Sequence, residues 1–239
     1  MFFVVHKNSA VLVSVIALVC IITAAIRLGH GSDESKPAFS VPTSNKVVVI
    51  DAGHGGIDNG ASANGVIEKE INLIIALKLQ ELIEQGGGIA ILTRDEDEST
   101  QDDNREKGVA QKKSDLSERV KLMNTSNADI FVSIHMNKFP EQQYRGAQVF
   151  YANNSEDSKH LGEALQKSLI QNINDGNKRA AKPVANDSVF VLKNASVPAA
   201  LVECGFLSNP SEAALLRDEV YQRKLAWAIY MGIVAYFVK

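Results

Sequence analysis

The stretch KVVVIDAGHGGIDNG, Lys46–Gly60, decides how the rest of the chain is read. Val47–Ile50 is an unbroken apolar run that passes straight into a glycine-rich turn carrying Asp51, His54 and Asp58. A short Val/Ile run bounded by turn residues is the signature of a strand buried on both faces in a parallel sheet. The glycines allow an immediate bend and leave little bulk around His54. In open α/β sheets, ligands bind in the crevice beyond the carboxyl ends of the strands, so a histidine placed there is a candidate site residue.

Downstream, apolar periodicity continues the pattern. Glu68–Gln85 carries Ile71, Ile74, Ile75, Leu79, Leu82 and Ile83 at helical spacing, and Gly86–Gly88 end it. Ile89–Thr93 reads as a strand followed by Arg94, and Glu96–Ser114 as a charged, exposed loop. Leu116, Val120 and Met123 mark a short amphipathic helix, and Asp129–Ile134 a second buried strand ending at Ser133-Ile134-His135-Met136-Asn137. Gln148–Tyr151, Val189–Leu192 and Ala199–Val202 read as further strands. Helices are expected over Leu161–Ile173, Ser211–Leu216 and Glu219–Phe237. Strands alternating with helices predict one α/β domain, a mostly parallel twisted sheet with helices on both faces.

With 239 residues the chain can form one sizeable domain plus an appendage. From Ser44 onward it carries 22 basic and 26 acidic side chains, which argues against a nucleic-acid-binding role that needs a clustered basic face. Two cysteines, Cys20 and Cys204, make no disulfide framework. Ala10–Ile26 is uncharged and flanked by Lys7 and Arg27. As a helix it would reach roughly 25 Å, against about 30 Å for a bilayer core. Residues 1–27 are read as a retained membrane anchor, with a cleaved signal segment as the alternative; either places the domain outside the cytoplasm. Residues 28–45, rich in Gly, Ser and Pro, read as a linker, and 46–239 as the catalytic domain.

Of five histidines, His6 precedes the apolar run, His30 lies in the linker and His160 in a helix. His54 and His135 each follow a hydrophobic strand, and Glu203 follows a third. Parallel strands bring those ends to one edge of the sheet. Two histidines and a carboxylate form a known catalytic zinc set that leaves one position open for water. Spacing alone leaves Asp51, Asp58, Glu68 and Glu70 as candidates for the third ligand.

The segments VVVIDAGHGGIDNGA, VIEKEINL, LTRDED, LSERVKLMN, ADIFVSIHMN and VPAALVECGFLSNPSE, in that order, resemble the zinc-dependent N-acetylmuramoyl-L-alanine amidases of the amidase-3 type. The likeness spans Lys46–Lys239, and the small size and N-terminal segment are most similar to the spore-cortex, germination-specific members. The resemblance implies zinc on His54, Glu68 and His135, with Glu203 as the catalytic carboxylate. It implies cleavage of the amide between the lactyl group of N-acetylmuramic acid and L-alanine of the stem peptide. In the spore-cortex enzymes that step precedes muramic-δ-lactam formation. Peptidoglycan is then the partner, with membrane association through the N-terminus and a possible protein partner. Arg119 and Asn137 are expected to hold strand ends, Ser133 to face away from the crevice, and Cys204 to pack. Asp51 is expected to support the ligands from behind, ahead of Asp58. The chain departs from the family in its long 96–114 segment, and no helical plug separates His135 from Glu203. Competing readings are an inactive wall-binding module, or another zinc cell-wall peptidase or deacetylase.

Overall fold

The computed structural model describes residues 41–98, 109–153, 155–185 and 188–238, with isolated positions 16, 18, 19 and 23. The expected anchor and most of the linker lie outside the described residues. Among those described, no helix is long and apolar enough to cross a membrane. Val41–Lys239 forms one compact unit. Val41–Asn45, assigned to the linker from its composition, packs against this unit: Thr43 is buried and its hydroxyl donates to the Gly86 carbonyl at 3.3 Å.

The elements run β1 (Val47–Ala52), β2 (Ser62–Ala63), β3 (Val66–Ile67), α1 (Glu68–Gln85), β4 (Ile89–Leu92), α2 (Val109–Thr125), β5 (Ile130–Asn137) and β6 (Gln148–Tyr151). They continue through α3 (Glu156–Ile173), β7 (Lys182–Pro183), α4 (Phe190–Lys193), β8 (Ala199–Phe206), α5 (Pro210–Leu216) and α6 (Glu219–Phe237). The main sheet has the order β4-β1-β5-β8-β6-β7. β4, β1, β5 and β8 are parallel, while β6 runs antiparallel to β8 and parallel to β7. β2 and β3 form a small hairpin.

Side-chain alternation divides the core between the two faces of the sheet. Val48, Ile50, Ile130, Val132, Ile134 and Val202 pack with Ile75, Leu79, Leu165 and Ile229 from α1, α3 and α6. Val49, Phe131 and Leu201 face the other way, onto Met123 of α2 and Val191 and Leu192 of α4. Each fully buried aliphatic or aromatic side chain contributes about 1.5–3 kcal/mol. The helices begin where their caps dictate: Ser155, Asn209 and Asp218 accept from the third amide into α3, α5 and α6.

Two expectations fail. Val189–Leu192 is no strand, because Phe190–Lys193 is one turn of helix. A four-residue apolar run does not by itself distinguish strand from helix. The edge of β8 that such a strand would need is already taken by β6, so Val191 and Leu192 cover the sheet face instead. The charged loop expected to reach Ser114 ends earlier, since α2 starts at Val109. Ala, Gln and Lys in that segment are good helix formers, and lack of large apolar residues does not prevent a helix. Residues 99–108 of that loop lie outside the described residues.

Candidate metal centre

His54 sits in the glycine turn two residues beyond β1, while His135 and Glu203 lie inside β5 and β8, where they are register partners. Side-chain alternation puts Asp51, Ser133, His135, Leu201 and Glu203 on the sheet face covered by α2 and α4. A cleft of about 310 Å³ opens there, lined by His54, Asp58, Lys112, His135, Phe190 and Glu203 among others.

Glu68 arrives from the opposite direction. α1 has no side-chain cap; its first amides donate instead to the glycine turn, Glu68 N–H to Ala61 O at 2.9 Å and Lys69 N–H to Asn59 O at 3.3 Å. This welds the helix start to the turn that bears His54. The Glu68 carboxylate then accepts from Ala61 N–H at 2.7 Å and Met136 N–H at 3.0 Å. Its Oε1 lies 3.2 Å from His54 Nε2 and 3.0 Å from His135 Nδ1.

Two glycines make the approach possible. A β-carbon on Gly53 would overlap the His135 imidazole, and one on Gly60 would come within 2.6 Å of Glu68 Oε2. Gly60 also has φ +64°, the left-handed region that glycine enters without penalty. His54 itself has φ 63°, a strained conformation for a residue with a β-carbon. Two guanidiniums hold it there: Arg94 Nε and Arg119 Nη2 donate to the His54 carbonyl at 2.7 and 2.6 Å. Arg94 also bonds the carbonyls of Gly53 and Lys69.

Asp58, not Asp51, supports a candidate ligand. Its carboxylate meets His54 Nδ1 at 2.8 Å, whereas Asp51 is buried with Arg119, Thr93 and Ser133 and touches neither histidine. The expectation that ranked Asp51 first is thereby corrected; a four-residue separation across a tight turn lets Asp58 fold back onto His54. Ser133 is corrected as well. Two residues from His135 on one strand, it shares that face rather than the opposite one, and its hydroxyl donates to Asp51 at 2.5 Å. Lys112 of α2 pairs with Asp58 at 2.8 Å. Neither this lysine nor the Arg94 clamp was foreseen as part of the site, although Arg94 directly follows a strand.

Electrostatics follow the contacts. Burial opposes ionisation of Glu68, yet hydrogen bonds from His135 and His54 hold its carboxyl well below the usual range. Burial likewise opposes Asp58, but Lys112 and His54 pull it down to about 2. Burial would lower His54, and Glu68 and Asp58 overcome it to raise its pKa. Glu203 differs: burial dominates and pushes its carboxyl up to about 7. Its Oε2 is buried without a hydrogen-bond partner among the described residues. Cys204 is buried and its thiol is pushed far up by that burial, as suits a packing residue.

The donors fit a metal ion. One ligand atom each from His54, Glu68 and His135 lies within 4.8 Å of the other two. Both imidazoles turn a ring nitrogen to the same carboxylate oxygen, so the three donors converge on one point. Mixed imidazole and carboxylate donors suit zinc among the common biological metals.

An α/β sheet carrying a two-histidine, one-glutamate cluster that could hold a metal ion, beside the buried Glu203 carboxylate, is the arrangement of a hydrolase. The chain belongs to the N-acetylmuramoyl-L-alanine amidase family, whose family description matches residues 48–235. It is 37% identical over 208 residues to the germination-specific N-acetylmuramoyl-L-alanine amidase of Bacillus subtilis, covering 87% of this chain and 86% of that protein. It is also similar to the amidase LytC of Bacillus subtilis, 33% identical over 82% of this chain and 36% of that longer protein. Among solved structures it resembles the CwlD amidase from Clostridioides difficile, determined in complex with the GerS lipoprotein. That likeness has a TM-score of 0.78 at 46% identity, over 81% of this chain and 99% of the other.

Proposed function

We propose that the chain hydrolyses the amide between the lactyl group of N-acetylmuramic acid and L-alanine, with zinc held by His54, Glu68 and His135 and Glu203 as general base. Zinc would supply Lewis acidity toward the scissile carbonyl and a water acidic near neutral pH. Glu203 would take the proton of the attacking water and pass it to the departing amine of L-alanine. The observation that carries this role is the buried Glu203 Oε2, which has no partner among the described residues and lies one strand from His135. Asp58 fixes His54 by accepting from Nδ1, which leaves Nε2 on the Glu68 side. Arg94 and Arg119 hold the His54 backbone, so they position a ligand without touching substrate.

The finer reading places the enzyme in the spore cortex, outside the cytoplasm, clearing stem peptides ahead of δ-lactam formation for germination. The likeness to the germination-specific amidase over most of both chains supports it. Residues 1–27 would serve as anchor or signal segment, 28–45 as linker and 46–239 as catalytic domain. A lipoprotein partner is inferred from the complex in which the CwlD amidase was solved.

Mass spectrometry of digested muropeptides tests the reaction, with zinc quantified on the same preparation. Peptides beginning with free L-alanine, and glycan that keeps its N-acetyl groups, are expected. Deacetylated glycan or cleavage within the peptide would replace the amidase reading with a deacetylase or peptidase. Binding without any cleavage would make the chain an inactive wall-binding module.

A further inference from the structure

Beyond Glu203 the sheet carries a second feature that the hydrolytic chemistry does not use. The pairing of β5 with β8 shifts between His135 and Asn137, so that His135 faces Glu203 and Asn137 faces Phe206. Met136 of β5 thus stands opposite both Cys204 and Gly205 of β8, the count of a bulge. Paired residues share a face, and His135 and Asn137 are two apart on one strand. Phe206 therefore lies on the same face as Glu203, about 7 Å farther along.

Phe206, 2% exposed, is the buried centre of a small aromatic cluster. Its ring lies 6.0 Å from Phe139 and 6.1 Å from Tyr144, both exposed, and the Arg179 guanidinium stands 5.0 Å above it. Arg179 belongs to a concavity of about 340 Å³ lined by Arg145, Gly146 and residues 175–179. Three of those side chains, Arg145, Lys178 and Arg179, are cationic, against one acid, Asp175. None of the three forms an ion pair with a carboxylate among the described residues.

Both guanidiniums are nevertheless fixed in place, and by backbone carbonyls. Arg145 Nη2 donates to Asp175 O at 3.0 Å, and Arg179 Nη2 to Arg145 O at 3.0 Å. The Asp175 carboxylate accepts from Asn177 N–H. A guanidinium has five N–H donors, so most of each fork stays available. The pocket floor is tied to the catalytic strand through Glu212, whose carboxylate bridges Gly146 N–H and Phe206 N–H at 2.8 Å each. Cations held close together without acidic partners repel one another, and a bound anion relieves that repulsion.

We propose that Arg145, Lys178 and Arg179 form a carboxylate-recognising subsite for the stem peptide, reached across the exposed rings of Phe139 and Tyr144 that cover Phe206. The inference rests on the amidase reading. An extended chain advances about 7 Å in two residues, which matches the offset from Glu203 to Phe206. The second stem residue is a γ-linked D-glutamate, and its α-carboxylate is either free or amidated. A free carboxylate accepts charge-assisted hydrogen bonds from arginine that an amide cannot match.

The test uses two muropeptides identical except that this α-carboxylate is free in one and amidated in the other. Wild-type zinc enzyme is expected to favour the free acid at least about tenfold in kcat/KM. That ratio should fall to within about threefold of one in Arg145→Gln and in Arg145→Gln/Lys178→Gln, with zinc content retained. Both positions are exposed, so the variants disturb no core packing. Arg179→Gln, made separately, should lose the preference through KM. A wild-type ratio near one, or a preference kept in the variants, overturns the subsite while leaving the amidase reading intact. Cleavage of neither muropeptide overturns the amidase reading and the subsite together.

Discussion

His135 and Glu203 stand opposite one another across β5 and β8, one turned to Glu68 and the other left with a buried oxygen that has no partner among the described residues. Adjacent positions in the sheet thus carry a histidine bonded to Glu68 and a carboxylate with one oxygen unpartnered among the described residues. Natural structures rarely bury a polar atom without a partner unless function requires it. Glu203→Gln keeps the volume and removes the proton acceptor. The variant is expected to bind zinc with wild-type stoichiometry and to lose at least about 100-fold in kcat, the usual contribution of a positioned general base. Zinc-loaded Glu203→Gln that still hydrolyses muropeptides at near wild-type rate would remove Glu203 from the mechanism.

The same carboxyl makes stability depend on pH. Burial pushes Glu203 up to about 7 from an ordinary 4.5, so the folded state favours the protonated form. Its cost to the fold is absent below about pH 4.5, grows between 4.5 and 7, and is constant above. In chelator-treated protein, Glu203→Gln should therefore melt a few °C higher than wild type at pH 8, with the difference shrinking as pH falls toward 5. Equal melting temperatures at pH 8 would mean the Glu203 carboxylate is well solvated.

Asp58 and Asp51 separate ligand support from scaffold. Asp58→Ala removes the acceptor on His54 Nδ1, and loss of such a partner costs about 10–100-fold in metal affinity. Competition with a zinc chelator should register that drop, with folding preserved because Asp58 is partly exposed. If Asp58→Ala binds zinc as tightly as wild type, the orientation of His54 rests on the arginine clamp alone.

Cys204 offers a negative control for the mechanism. It is buried, its thiol is pushed up by burial, and its Sγ lies 3.9 Å from the Val202 carbonyl. Thiol-alkylating reagents should leave native enzyme active, and Cys204→Ala should hydrolyse normally with a stability loss of about 1 kcal/mol. Rapid inactivation by alkylation at Cys204 would contradict its packing role.

Much of this architecture can be read from residue order. Val47–Ile50, the Ile71–Ile83 periodicity and the terminal Glu219–Phe237 helix each announce themselves because burial imposes a period. The histidines and Glu203 stand out for a topological reason, since parallel strands deliver their ends to one edge. What spacing leaves open is which acid completes the triad. Glu68 is brought beside the two histidines by contacts that no periodicity encodes: an uncapped helix start bonded to a glycine turn, and a Met136 amide from another strand. The reversal of Asp51 and Asp58 has the same origin, because turn geometry sends Asp58 to His54 while Asp51 points inward to Arg119. Val189–Leu192 misleads because four apolar residues suit a helical turn as well as a strand.

Arg119 and Asp51 form an ion pair buried at both ends, 2% exposed on each side, with Nη1 and Oδ1 at 2.6 Å. Arg119 also donates to the Ala52 and His54 carbonyls, so one side chain of α2 links β1, the glycine turn and Asp51. Burial opposes both charges; Arg119 holds the Asp51 carboxyl below its usual range, and Asp51 holds the guanidinium above its own. Arg119→Ala leaves the Asp51 carboxylate buried with Thr93 and Ser133 as its hydrogen-bond partners among the described residues. The expected cost is about 3–5 kcal/mol, read from denaturant unfolding. Removing both charges in Arg119→Met/Asp51→Leu should recover part of that stability. Zinc affinity should stay low in the double variant, because the His54 carbonyl has still lost one of its two guanidinium donors. Recovery of both stability and zinc affinity would show that Arg119 serves the fold only, and that Arg94 alone keeps His54 in its left-handed conformation.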